Sequence, residues 1–210
     1  MGDESDRRHR GVCLVIAAPS GAGKSTIANA LRASDKNLVH SVSVTTRRMR
    51  PGEVEGLHYH FRTDDQFSRM ANEGELVEWA NVFGRFYGTP RAPVEQALAA
   101  GRDMVFDIDW QGHRQLRAAL PGDVVGLFVL PPSLDVLETR LRARGQDDDA
   151  EIARRMAAAR DECTHWPEFD HLVVNEKLDR AVAVARAILD AARHATSRLG
   201  YRAREISEPG

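Results

Sequence analysis

One stretch constrains the fold of this chain more than any other: Val12-Cys-Leu-Val-Ile-Ala-Ala18-Pro-Ser-Gly-Ala-Gly-Lys24-Ser-Thr26. The apolar run from Val12 to Ala17 reads as a strand buried on both faces, since a half-wet strand would alternate apolar with polar residues. A glycine-rich turn and a helix from Lys24 to about Ala33 follow it. Ala18-Pro19-Ser20-Gly21-Ala22-Gly23-Lys24-Ser25, continuing into Thr26, is a P-loop at every position but the first, where Ala18 replaces the usual glycine. The glycines let backbone N–H groups curl around an anionic phosphate, and the helix start adds its positive end. Lys24 can reach β- and γ-phosphates, and Ser25 offers a hydroxyl to Mg2+.

The remaining elements alternate in the same manner. Strands are expected over His40–Thr45, Leu57–Phe61, Leu76–Val82, Met104–Ile108, Val124–Leu130 and Leu172–Val174. Between them, helices are expected from Thr63 to near Gly74, over 93–100, over 112–119, from Leu134 to about Glu162 with a break at Gly145-Gln146, and over 179–193. Thr63 and Gln66 form a capping box. Apolar strands separated by helices indicate a doubly wound α/β core. Residues 43–91 and 139–157 depart from strict alternation and read as insertions over the substrate edge of one domain spanning 11–200. Its core is then 11–42, 92–138 and 158–200, with polar, frayed ends at 1–10 and 201–210.

Composition removes several alternatives. Lys plus Arg is 29 against 31 for Asp plus Glu, a balance of −2 that argues against wholesale nucleic-acid binding. The longest apolar run is far short of the roughly 20 residues a bilayer span needs, so no membrane partner is expected. Cys13 and Cys163 lie far apart without metal-type spacing and read as two reduced thiols of a cytoplasmic protein. Monomer and homo-oligomer both remain open.

A second acidic signal comes from Met104-Val-Phe-Asp107-Ile-Asp109. Carboxylates at i and i+2 project from the same face of a strand. Asp107 is the candidate for the Mg2+ shell, and Asp109 lies nearer the acceptor. His58 and His60 share that spacing, but with no third ligand nearby they read as strand packing.

At this point the sequence resembles the guanylate kinase family over about Val12 to Leu189. PSGAGKST, HSVSVTTRRMRPGEVEGLHYHF, GELVEWANVFGRFYGTP, DIDWQG, LETRLRARG and LVVNE carry the resemblance by their order and spacing. It implies a P-loop NTPase-type parallel sheet flanked by helices, a GMP-binding insertion and a mobile helical lid over ATP. It also implies that the GMP phosphate meets Arg47, Arg50, Tyr59 and Tyr87, and that guanine meets Ser43, Glu78, Thr89 and Asp109. ATP would meet the P-loop and the lid arginines Arg140, Arg144 and Arg155, with Asn175 beside adenine. Thr89 stands where many members have Ser, and the lid reads RGQDDDAE where members more often have RGT.

The chemistry agrees with that assignment. Guanine presents two donors, N1–H and the 2-amino group, and one carboxylate such as Glu78 accepts both; adenine presents an acceptor at N1 and is rejected. Arg47 and Arg50 are planar forks suited to phosphate, while Arg48 reads as surface charge. The attacking phosphate oxygen is already anionic, so catalysis reduces to alignment and charge neutralisation by Lys24, Mg2+, Arg47, Arg50, Arg144 and Arg155. Two alternatives stay open on the residues alone: a non-catalytic phosphopeptide-binding module, and a P-loop kinase for another small phosphorylated acceptor.

Overall fold

The computed structural model describes residues 10–207 apart from 83, 144, 146 and 147. The arm expected at 1–10 therefore lies outside the described residues but for Arg10, as do Arg144 and the last three residues of the expected tail.

The chain builds β1 (Cys13–Ala17), α1 (Lys24–Ser34), β2 (Leu38–His40), β3 (Val44–Thr45), β4 (His60–Phe61), α2 (Asp64–Asn72), β5 (Leu76–Val82), β6 (Arg85–Pro90) and α3 (Arg91–Ala99). It continues with β7 (Asp103–Phe106), α4 (Trp110–Ala119), β8 (Val124–Leu130), α5 (Leu134–Ala143), α6 (Asp149–Cys163), β9 (His171–Val174), α7 (Leu178–Arg193) and α8 (Thr196–Ser207). A five-stranded parallel sheet runs β2-β7-β1-β8-β9. A second, mostly antiparallel sheet runs β4-β3-β6-β5.

The period of two along β1 explains the layering. Leu14 and Ile16 enter one apolar cluster with Ile27 and Leu31 of α1, Leu137 and Leu141 of α5, and Ala185 and Leu189 of α7. Cys13 and Val15 enter another, with Leu98 of α3, Phe106 of β7 and Leu116 of α4. A sheet covered on both faces has no polar side to show, hence the unbroken apolar run. Burying each such large side chain contributes about 1.5–3 kcal/mol. Both cysteines are free thiols, and burial pushes that of Cys13 well up.

Three expectations are corrected. His40–Thr45 is not one strand: β2 ends in the parallel sheet at His40, and after three residues β3 begins in the second sheet. The alternation of H-S-V-S-V-T runs through that change of sheet and hides it. Of Leu57–Phe61 only His60 and Phe61 are strand, since Gly56 at φ 75° turns the chain and His58 Nδ1 accepts from the N–H of Val54 at 3.0 Å. Residues 196–207 form α8, although it buries no side chain fully. Arg198 ties its first turn to the carbonyls of Arg10, Gly11 and Gly122 and to Asp123. The Thr63–Gln66 capping box is present, with both reciprocal hydrogen bonds.

Candidate active site

The C-terminal ends of parallel strands open on one edge of the sheet, where α/β proteins bind ligands. There a cleft of about 320 Å3 separates the P-loop from the second sheet. The P-loop from Ala18 to Thr26 forms one wall, except that Ala22 is tucked beneath it, fully buried. Asp107 and Asp109, just past the end of β7, form the floor; Ser43, Tyr59, Glu78 and Tyr87 face the P-loop from the other side.

Gly21 and Gly23 take φ of 94° and 104°, left-handed values that disfavour any side chain. At Gly23 a Cβ would also lie 2.5 Å from Asn175 Nδ2. That amide donates to the Ala22 carbonyl at 2.9 Å, while the Asn175 carbonyl accepts from Arg140 at 3.1 Å. Asn175 is thus buried behind the P-loop and braces it. Neither Asn175 nor Arg140 is among the residues that line this cleft.

Lys24 Nζ lies 3.1 Å from Asp107 and donates to the Ile108 carbonyl at 3.4 Å; the Ser25 hydroxyl donates to Asp107. Burial works to raise the Asp107 carboxyl and to lower the Lys24 ammonium. Their mutual attraction, with Ser25, outweighs burial and holds both in the charged form. Ser25 and Asp107 therefore stand as adjacent hard oxygen donors at the mouth of the phosphate cradle. Among the described residues no group of three His, Cys, Asp or Glu gathers as a metal cage. A cation held by two oxygens plus substrate phosphates is the manner in which Mg2+ binds, so the donor set fits that ion.

Glu78 is 3% exposed and faces Thr89 across the β5–β6 ladder, whose hydroxyl donates to Glu78 Oε1. A register shift between Leu76 and Glu78 breaks the in–out alternation, so Leu76, Val77 and Glu78 are all buried. Such bulges re-aim side chains. Thr89 itself is fully buried and is not among the lining residues, whereas Ser41 and Ser43 are. Asp109 lines the cleft and also caps α4, accepting from the Gly112 N–H at 2.9 Å.

Burial pushes the Glu78 carboxyl up to about 7, against the pull of the Thr89 hydroxyl, with nearby Asp109 adding to the rise. The unfolded chain releases that proton near the ordinary value of 4.5, so between 4.5 and about 7 the folded state binds more protons and stability falls as pH rises. Above pH 7 the full cost, about 3 kcal/mol, is present. Glu78→Gln is therefore expected to melt higher than the native chain at pH 8 and level with it near pH 4.5; equal melting at both values would remove the buried acid.

The arginines are held as well as placed. Arg47 makes a two-pronged pair with Glu53 at 2.7 and 3.0 Å, and its guanidinium lies 5.3 Å from the centre of the Tyr59 ring. Glu53 Oε2 also accepts the Arg50 N–H at 2.7 Å, which closes the 47–53 turn. Arg47 and Arg50 stand outside the cleft lining, Arg50 exposed. On α6, Arg155 lines the cleft, pairs with Glu151 at 3.1 Å and donates to the Ser20 hydroxyl at 3.4 Å. Glu162, two turns further on the same face, accepts the Ser20 backbone N–H at 3.3 Å. Glu53 and Glu162 are site residues that sequence reasoning missed. Glu53 carried a signal, an acid beside three arginines in RRMRPGE, whereas Glu162 meets Ser20 across 142 positions.

These parts define a P-loop α/β protein whose phosphate cradle shares one cleft with a buried carboxylate on a separate sheet. The guanylate kinase family model matches residues 10–192, and the chain belongs to that family. It is 72% identical over 189 residues to the guanylate kinase of Gluconobacter oxydans, covering 90% of this chain and 91% of that protein. It is 62% identical over 192 residues to that of Granulibacter bethesdensis, covering 91% and 90%. Among solved structures, guanylate kinase from Anaplasma phagocytophilum aligns with a TM-score of 0.78 at 36% identity, over 96% of each chain. No helix among the described residues is long and apolar enough to cross a membrane.

Proposed function

We infer that this chain transfers the γ-phosphate of ATP to GMP, giving ADP and GDP. The observation that carries the reading is a buried carboxylate, Glu78, facing an intact P-loop across one cleft, in a chain 72% identical to a guanylate kinase. In this reading Lys24 and the P-loop N–H groups hold the ATP phosphates. Ser25 and Asp107 would hold Mg2+, which supplies charge neutralisation on the phosphate oxygens when bound. Glu78 accepts guanine N1–H and the 2-amino group, with Ser43 toward O6 and Asp109 beside the base edge. Tyr59, Tyr87, Arg47 and Arg50 receive the GMP phosphate. The acceptor oxygen is already ionised, so no residue need remove a proton. What the chain supplies is alignment and positive charge around the moving phosphoryl group.

The reading is tested by a coupled assay with ATP·Mg2+ and GMP, AMP, CMP, UMP and IMP in turn. GMP is expected to exceed the others in kcat/KM by about 10^4-fold for bases that lack guanine's donor pair. Comparable turnover of AMP, or none of GMP, overturns it.

Residues 43–91 serve in this reading as the GMP-binding insertion and 139–157 as a lid that carries Arg155 over ATP. The contact of Arg155 with Ser20 supports the lid, since it links α6 to the P-loop. Closure also excludes water that would hydrolyse ATP. Amide exchange over 139–157 is expected to slow on adding a bisubstrate analogue joining adenosine and guanosine through phosphates. Equal exchange with and without it would make the segment a plain surface helix pair.

A further inference from the structure

We propose that α4 is the specificity support of this enzyme: Gly112 and Gln115 set where the Glu78 carboxylate stands, and so act as positioning residues for guanine. The proposal rests on the reading of Glu78 given above and adds two residues that do not themselves touch the base.

The first observation is a matter of space. A Cβ at Gly112 would lie 2.5 Å from Glu78 Oε2, 3.2 Å from its Cδ and 3.1 Å from Ile108 Cδ1. The carboxylate therefore rests directly on bare α4 backbone. Oε1 is engaged by the Thr89 hydroxyl and Ile108 stands beside it, so the carboxylate can be pushed only toward the cleft, where the base is to sit. Gly112 sits in the first turn of α4, where its N–H is capped by Asp109, and it has no positive φ. Helix geometry there would accept alanine, which is the better helix former. The three atoms nearest to that Cβ belong to the carboxylate and Ile108.

The second observation concerns the backbone next to Glu78. β5 is the outer strand of the second sheet and its hydrogen bonds to β6 lie on one side only. On the other side the Gln115 amide takes the place of a neighbouring strand. Its Oε1 accepts the Trp79 N–H at 3.1 Å and its Nε2 donates to the Trp79 carbonyl at 2.7 Å. Gln115 is exposed, so these bonds are not a by-product of burial. They fasten the second sheet to a helix of the first, one residue from the carboxylate and just past the bulge that weakens the local ladder. A specificity group has to be held within about 0.5 Å of its productive position. A bulged outer strand does not supply that hold alone.

The test compares the native chain with Gly112→Ala, Gln115→Met and Glu78→Gln, reading kcat/KM for GMP and for IMP, KM for ATP, and thermal melting. IMP keeps N1–H and O6 but lacks the 2-amino group, so the GMP-over-IMP ratio reports the carboxylate's placement. Gly112→Ala is expected to cut that ratio by about tenfold to a hundredfold with KM for ATP unchanged. Gln115→Met, equal in length but unable to hydrogen-bond, is expected to cut it by about threefold to tenfold. General loosening of the fold would lower both acceptors together and leave the ratio alone. Should Gly112→Ala fail to fold, the exposed Gln115 site carries the test by itself. If Glu78→Gln collapses the ratio while folded α4 variants keep the native value, the positioning role is wrong and the guanine reading stands. If Glu78→Gln also keeps the native ratio, the reading beneath the proposal fails.

Discussion

Lys24→Met is expected to lower kcat by about 10^3-fold or more, with the protein still folded. Lys24 is the P-loop side chain whose charge sits at the floor of the cleft, 3.1 Å from Asp107 and beside the Ile108 carbonyl. It is placed to follow charge onto the moving phosphoryl group, and the flexible, uncharged Met fills its volume without that charge. The same change releases Asp107. With Lys24 present its carboxyl is held below the ordinary value despite burial. That stabilisation is complete above the ordinary carboxylate range and is lost as pH falls through the lowered value. The variant should therefore melt below the native chain at pH 7, by an amount that shrinks as the pH is taken down through that range. Near-native turnover in a folded variant would remove Lys24 from the phosphate cradle. A pH-independent melting difference would place the lost stability elsewhere.

Glu78→Gln is the second large effect and reaches a different substrate. In the proposed reading its carboxylate accepts two hydrogen bonds from guanine, and charge-assisted bonds of this sort contribute about 1.5–3 kcal/mol each. Glutamine keeps the shape but turns an amide donor toward guanine's donors, leaving buried polar atoms unpaired. The expected result is a loss in kcat/KM for GMP of about 10^2- to 10^4-fold, carried mainly by KM for GMP, with KM for ATP little changed. The GMP-over-IMP ratio should shrink, since half of what the carboxylate reads is the 2-amino group. If the variant keeps native GMP affinity and the native ratio, Glu78 is a rim residue. Because Glu78 holds its proton to about 7, GMP acceptance should also improve as pH rises through 7 in the native chain and not in the variant.

What was legible in the sequence had a local cause. The P-loop could be read because its backbone demands glycine at positions 21 and 23, where the structure has left-handed φ. β1 could be read because burial on both faces leaves no room for polar residues. β6 escaped notice: Arg85-Phe-Tyr-Gly-Thr-Pro90 holds a glycine and a proline and alternates with no regular period. Its strand character comes from pairing with β5 and β3, which no local pattern reports. The partners of site residues were hidden for the same reason. Gln115 meets Trp79 across 36 positions, Asn175 meets Ala22 across 153, and neither pair leaves a mark on its own neighbourhood. Side-chain chemistry could be assigned from motifs, but which hydroxyl faces the cleft could not. Ser43 and Thr89 read alike, and the ladder opposite Glu78 turned Thr89 inward.

Three cations at or beside the cleft are matched to a carboxylate of the chain: Lys24 to Asp107, Arg47 to Glu53, Arg155 to Glu151. A phosphate that reaches any of them enters as a competitor for an existing partner, and its binding is an exchange equilibrium. A lone inorganic anion, offering one group against one tethered carboxylate, gains little by such an exchange. A nucleotide that displaces several carboxylates at once while seating its base gains at every point. The paired charges thus set a threshold that a lone phosphate or sulfate meets with one group and a nucleotide meets with several.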